Sequence, residues 1–492
     1  MSVNRSVSGA PLLARVIRGT NGNDTLAARA EGDRVLGLGG NDILTSQVNR
    51  TTLDGGRGND RLTTEFVTTP DEAIEAVAKQ VGGSGRDHLV AITEASGSAT
   101  NLLSGGSGSD TMDGTALSAD LSVEGLFRNI VHAGNGDDSV TVLAGGSISG
   151  SDDTARNDVW GGAGDDSIEA TAFVNDNGSG FAANVLDGGA GDDNISATNV
   201  TGSNVAAPVG RNTLRGAAGD DFLTADSLAS GENFASDCEN RLDGGAGDDV
   251  LRATIHQPVD NQNFIARGAN VLDGGDGSDS LTATAILSAR DLVEVTNTLR
   301  GGNGDDMLTA VASGEANPSS PRLVRNTLFG GNGDDFIFGE IDSASGANRL
   351  HGGDGDDRLV AVGGTGNVLD GGTGSDTLRG DDGVDTFVFD VDNLVATRDL
   401  DTVIEFDPAN DRLAFFGITD ANAPGLADEV DAVSFLNDDG PGGDVTAWFG
   451  APNQEHPSIV FKGRGTGAIT SFADLVDDPA TQLVAGAPDL LA

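Results

Sequence analysis

Tyrosine is missing from this 492-residue chain, only 19 Phe and 2 Trp supply aromatic bulk, and there is one cysteine, Cys238. So thin an aromatic inventory leaves few ways to build a conventional core. A single thiol closes no disulfide and builds no zinc or iron site, so Cys238 reads as an incidental small residue. Long apolar runs are also lacking, and nothing approaches the roughly 20 residues a membrane-spanning helix needs. The run Ala10-Pro11-Leu12-Leu13-Ala14, between arginines, is too short for the apolar region of a secretory signal. Export, if it occurs, is therefore expected to proceed without a cleaved N-terminal leader. Positive charge is scarce: 28 Lys and Arg stand against 77 Asp and Glu, a net charge of −49, which excludes nucleic acid as a plain partner.

What is abundant is glycine, at 74 residues, and one acid in particular, with 62 Asp against 15 Glu. Asp is the shorter acid, at home in turns and as an oxygen ligand for hard cations, whereas Glu prefers helices. High net charge with modest hydrophobicity is also the mark of a disordered chain, and it is periodicity that overrides that reading.

A six-residue element close to GGxGxD recurs sixteen times. It ends at Asp24, Asp42, Asp60, Asp87, Asp110, Asp138, Asp166, Asp193, Asp221, Asp249, Asp279, Asp306, Asp335, Asp357, Asp376 and Asp385. The second residue after each of these is apolar, as at Leu26, Met112, Ile168, Leu251 and Phe387. Two before the motif stands an apolar residue, from Leu53 through Leu103, Val131 and Leu186 to Leu369, interrupted once at the copy 82–87. Four before it stands Asn in eleven successive copies, from Asn101 and Asn129 to Asn348 and Asn367. The Asn and the apolar residue share parity, and alternation with period two means strands.

Each repeat therefore reads as strand, Gly-rich turn, strand and a far-side turn of variable length. A return to the same motif every 18 to 30 residues, shortening to 9 at the last step, predicts parallel strands coiling on one another. The expected fold is all-β: a parallel β-solenoid, of the β-roll or β-helix kind, with one Gly-rich turn per coil and a β-rich C-terminal cap. At about 4.8 Å per coil, fifteen rises predict a rod of roughly 70 Å. The divisions expected are an N-terminal cap at 1–18, the solenoid at 19–390 and a capping region at 391–492. The Asn column is expected to form an inward amide ladder.

Glycines at the first, second and fourth motif positions are expected to allow positive φ and to turn successive carbonyl oxygens to one side. The aspartate at the sixth adds a carboxylate, so stacked turns enclose a gap lined by oxygen, which suits Ca²⁺ with its six to eight oxygen ligands better than the stricter Mg²⁺. Eight copies carry paired acids, such as Asp165 with Asp166 and Asp334 with Asp335. Stacking those without a cation is strongly repulsive. His88, His132, His256, His351 and His456 lack ligand spacing and read as surface residues.

The motif resembles the GGxGxDxUx nonapeptide of the RTX, or haemolysin-type, calcium-binding repeats. The family's tandem spacing appears in GTNGNDTLA, ARAEGDRVL and GLGGNDILT near the start and in GGTGSDTLR and GDDGVDTFV at 371–388. Elsewhere each long coil holds one copy, so the resemblance implies a single calcium-lined edge opposite an edge of variable loops, with the sixteen aspartates as ligands. Ala133, Ala217 and Arg86 depart from the pattern and weaken their copies. The resemblance further implies that 391–492 is an uncleaved export address for type I secretion. Short helices are expected at 69–80 and within 470–478.

Function follows as a secreted, calcium-binding structural or adhesive protein, such as a matrix or surface-layer component, not an enzyme. Its partners are calcium ions, with cell-surface polysaccharide or further copies of itself as candidates. The alternative is a polysaccharide lyase or epimerase on the same scaffold, with Arg252, His256 and Arg267 as the place to look. Pore formation would need long apolar helices, and ice binding a regular outward Thr row that Glu169, Arg252 and Phe338 interrupt.

Overall fold

The computed structural model describes residues 14–485 apart from 69–74, 120–123, 147–152, 176–179, 203–208, 231–235, 258–264, 317–319, 344, 392–393, 395, 397, 418–433 and 450–455. The chain divides into two units, Met1–Ser236 and Asp237–Ala492. Each is a parallel β-solenoid, with one sheet of strands entering the motif turns and another of strands leaving them.

In the first unit the entering strands Ala99–Ser107, Leu126–Asn135, Thr154–Ala163, Phe181–Ala190 and Val209–Ala218 pair in parallel. Their register places Asn101, Asn129, Asn157, Asn184 and Asn212 in one row, and Gly106, Gly134, Gly162, Gly189 and Ala217 in another. The leaving strands align Met112, Val140, Ile168, Ile195 and Leu223. All five of these side chains are buried. A core that is one or two aliphatic side chains wide needs few aromatics, which is how so aromatic-poor a chain folds.

The second unit repeats this pattern. Asn270, Asn297, Asn326 and Asn348 share a row, as do Leu281, Leu308, Ile337, Leu359, Leu378 and Val403. Both sheets run past residue 390. Strand Arg412–Phe416 pairs in parallel with Asp385–Asp390 and then with Leu483–Ala485. Strand His456–Phe461 pairs with Asp401–Ile404 and closes the antiparallel meander Ser434–Asp438, Val445–Phe449, His456–Phe461. The aromatic residues concentrate here. Phe472 lies 4.9 Å from Phe415, 6.0 Å from Phe449 and 6.4 Å from Phe461, ring centre to ring centre.

The helix expected at 470–478 is present as Phe472–Leu475, capped by Ser471. Of the one expected at 69–80, residues 69–74 lie outside the described residues, and Ala76–Ser84 is a strand. Local helix signals there lose to sheet hydrogen bonds on both sides, with Thr51–Arg57 and Ala99–Ser107. The break in the columns is filled by Gln80, which takes the Leu53/Leu103 row and donates from Nε2 to Thr64 Oγ1 (3.0 Å) and Val90 O (2.7 Å). Among the described residues no helix is long and apolar enough to cross a membrane.

Candidate metal centre

The amide column is the scaffold that sets the turns in register. Within each unit successive Asn side chains donate from Nδ2 to the Oδ1 of the next, at 2.8 Å from Asn101 to Asn129 and 2.9 Å from Asn297 to Asn326. The second Nδ2 proton reaches across the core to a carbonyl fourteen residues on, as from Asn129 to Leu143 O and Asn297 to Val311 O. That constant offset spans the turn, so the near edge keeps its length while the far side varies. The expected inward ladder is therefore present.

Glycine serves two different purposes in the turn. Positions two and four take positive φ, for instance Gly302 at 123° and Gly304 at 124°. Position one does not, contrary to expectation: a Cβ on Gly301 would collide with Asp306 Oδ2 and lie 2.6 Å from the carbonyl oxygen of Gly330 in the next coil. It is glycine because two oxygens converge beside its Cα. Ala217 and Leu38 hold position two at positive φ, 90° and 81°, at a cost in backbone strain.

The motif aspartates form buried columns. Asp42, Asp60, Asp87, Asp110, Asp138, Asp166 and Asp193 in the first unit are at most 3% exposed, as are Asp279, Asp306, Asp335, Asp357 and Asp376 in the second. Oδ1 of each accepts the backbone N–H of the aspartate one coil earlier, as in Asp110 to Asp138 (2.7 Å) and Asp306 to Asp335 (2.8 Å). Asp221 and Asp249 join their columns through Asp193 and Asp279. Oδ2 of those twelve residues is buried with no hydrogen-bond donor. Burial pushes the carboxyls up, against the pull of the backbone N–H and with a further push from neighbouring carboxylates. Asp87, Asp166, Asp306 and Asp376 reach about 7, and Asp357 about 8.

The acid at position five points the other way. Its oxygen accepts the N–H of the following coil, as from Asp192 to Asp165 Oδ1 (2.9 Å) and from Asp334 to Asp305 Oδ1 (2.9 Å). Paired acids thus divide the labour, one capping forward and one backward.

Asp24 and Asp385 differ from the rest. Asp24, in the first described coil, accepts at Oδ2 from Thr20 N (2.6 Å) and Thr20 Oγ1 (2.8 Å). Asp385 is not on the motif edge at all: it opens a strand of the entering sheet, in register with Asn367. It accepts from Asn367 Nδ2 at Oδ1 (2.8 Å) and from Asp381 N at Oδ2 (2.7 Å). Here, and at Asp33 and Asp411, aspartate turns stand on the edge that the sequence assigned to variable loops alone.

Two column members escaped the sequence reading. Asp401 continues the main column by accepting from Asp376 N (3.1 Å), and Asp411 stacks on Asp385 in the same way (2.9 Å). Neither follows a glycine pair. The signal that marks them is Asp-x-apolar alone, in Asp401–Val403 and Asp411–Leu413.

The donor set suits a hard cation. Carboxylate oxygens without donors converge with carbonyl oxygens of the next coil at turns such as Gly301–Asp306 and Gly330–Asp335, and calcium takes such ligands in flexible geometry. Among the described residues no three His, Cys, Asp or Glu side chains converge as a metal-holding group, so backbone carbonyls would have to supply most ligands, which suits calcium and not zinc. His132 stacks on Trp160 and His351 faces Asp370.

The comparisons with known proteins agree with this geometry. The family model HemolysinCabind, described as the RTX calcium-binding nonapeptide repeat (4 copies), matches residues 16–46, 51–65, 96–116, 152–172, 180–199, 209–227, 236–254, 266–285, 296–310, 325–343, 340–366 and 362–393, about half of the chain. No curated protein matches. Among solved structures the chain is similar to the extracellular lipase LipA from Serratia marcescens, at 17% identity over 50% of this chain and 40% of that one, with a TM-score of 0.23. So slight a superposition carries no argument.

Proposed function

The chain belongs to the RTX calcium-binding nonapeptide repeat family, and from that premise we propose that it is a secreted structural or adhesive protein whose stacks are set by calcium. The observation that carries this reading is the column of buried aspartate oxygens without donors, most of which converge with a first-position carbonyl of the next coil, as Asp306 Oδ2 does with Gly330 O. In this reading Oδ2 of Asp42 to Asp193 and of Asp279 to Asp376, with first-position carbonyls such as Gly330 O, holds the ion. Bound calcium supplies the positive charge that lets adjacent carboxylates ionise together. The chain's own part is to present these oxygens in register, through the Asn ladder and the two positive-φ glycines, and to exclude water from them.

Because little aromatic core backs the turns, cation binding is folding energy here. An extracellular setting, rich in calcium, suits such a protein, and residues 391–492 are read as cap and export address together. No catalytic role is assigned to the stacks. The test is a calcium titration by calorimetry with far-ultraviolet circular dichroism alongside. Strand signal should appear with calcium and collapse with EDTA, at several ions per chain. A spectrum indifferent to EDTA would sink the proposal.

A further inference from the structure

A cleft of about 330 Å³ opens on the outer face of the entering sheet in the second unit. Its lining includes three position-two glycines, Gly331, Gly353 and Gly372, which contribute only backbone, so the outward side chains on either side stand as walls. One wall is the residue before the motif, His351 and Asp370, with Nδ1 and Oδ2 3.2 Å apart. The other is position three, where Thr373 Oγ1 donates to Asp354 Oδ1 at 2.7 Å. Asp390 and the ring of Phe416 also line the cleft.

Asp370 is only 6% exposed. Its Oδ2 faces His351, and its carboxylate lines the cleft. The carboxylate of a nearly buried residue that lines a cleft is an acceptor for a ligand's hydrogen. His351 is itself held in place, its ring edge-on to Phe329 at 6.1 Å, and Phe329 in turn lies under Arg300 at 5.7 Å.

We infer that this cleft binds a non-anionic glycan. Its polar groups are mostly acceptors, matching sugar hydroxyls, while the Phe416 ring offers an apolar surface to a pyranose C–H face. No Lys or Arg lines it, so an anionic polysaccharide meets carboxylates whose one basic neighbour, His351, is already set against Asp370. A basic peptide fits less well, because His351 already occupies the basic partner's place beside Asp370. The furrow follows the coil stack, so a linear oligosaccharide can lie along it.

This inference deepens the adhesive reading, and the experiment separates the two. Full-length protein is first shown by circular dichroism to fold with calcium, and failure there would fall on the calcium reading alone. The folded protein is then titrated by calorimetry with chitohexaose, cellohexaose, polygalacturonate and a lysine-rich peptide. A neutral hexasaccharide should bind, and Asp370→Asn and Phe416→Ala should each weaken it about tenfold or more. In wild-type protein the ring resonance of His351, one of five histidines, should shift on its addition, a readout that survives if a variant misfolds. Absence of binding by both neutral sugars, binding unaltered in the folded variants, an unmoved His351 signal, or a response to the peptide alone would overturn the inference.

Discussion

A methyl group at the first motif position is the smallest change that probes the column. In Gly301→Ala the added carbon collides with Asp306 Oδ2 and crowds Gly330 O. Relief requires either oxygen to leave its place, so we expect a loss of about 2 kcal/mol or more in calcium-loaded stability and the loss of one ion from the calorimetric stoichiometry. The chain contains the reverse experiment in Ala133, a buried methyl at the first position of the turn that ends at Asp138. Ala133→Gly should lower the calcium midpoint of folding. An unchanged midpoint in both variants would mean that the converging oxygens are not the ion's ligands.

The strands and their end-caps set the next scale. An amide at −4 legible as a column in the sequence becomes, in the structure, a rung bonded on three sides. Asn297→Ala removes the partner of Asn270 Nδ2, of Asn326 Oδ1 and of Val311 O together. Leaving such groups buried costs about 1–3 kcal/mol each, so thermal unfolding should move to markedly lower temperature without change in the ion count. The C-terminal meander and its helix depend on packing instead. Phe472 is fully buried among other rings, and Phe472→Ala is expected to cost about 3–5 kcal/mol by chemical denaturation. Helix signals were less dependable. The stretch 470–478 holds a real turn of helix, Phe472–Leu475, whereas the described end of the stretch 69–80 lies in the strand Ala76–Ser84, because a strand between two others gains hydrogen bonds along both edges.

For the molecule as a whole the governing quantity is its charge of −49, much of it in columns of buried carboxyls. Those of Asp87, Asp166, Asp306 and Asp376 are raised to about 7 and that of Asp357 to about 8, above the value near 3.9 of an unfolded aspartate. Between about pH 4 and 8 the folded chain therefore holds more protons than the unfolded one, and calcium-free stability falls as pH rises through that window. In EDTA the melting temperature should decline from acid pH upwards until the folded signal is lost near neutral pH, and a rise would contradict the burial of these groups. Calcium added near neutral pH should expel protons, visible as a dependence of the calorimetric heat on the buffer's ionisation enthalpy.

Period and parity determined much of this protein before any coordinates: strands, a parallel solenoid, an inward amide ladder and a column of acids on one edge. These were legible because each is a repeated local pattern, and repetition multiplies a weak signal. Tertiary structure alone decided which edge an aspartate occupies. Asp385 ends a copy of the motif, GDDGVD, and sits opposite the others, while Asp401 and Asp411 lack the glycines and join the stacks. The cleft beside His351 and Asp370 likewise draws its walls from neighbouring coils some twenty residues apart. In both cases the deciding contacts are hydrogen bonds and packing between coils, and their partners depend on how many residues each far-side turn takes before the chain returns.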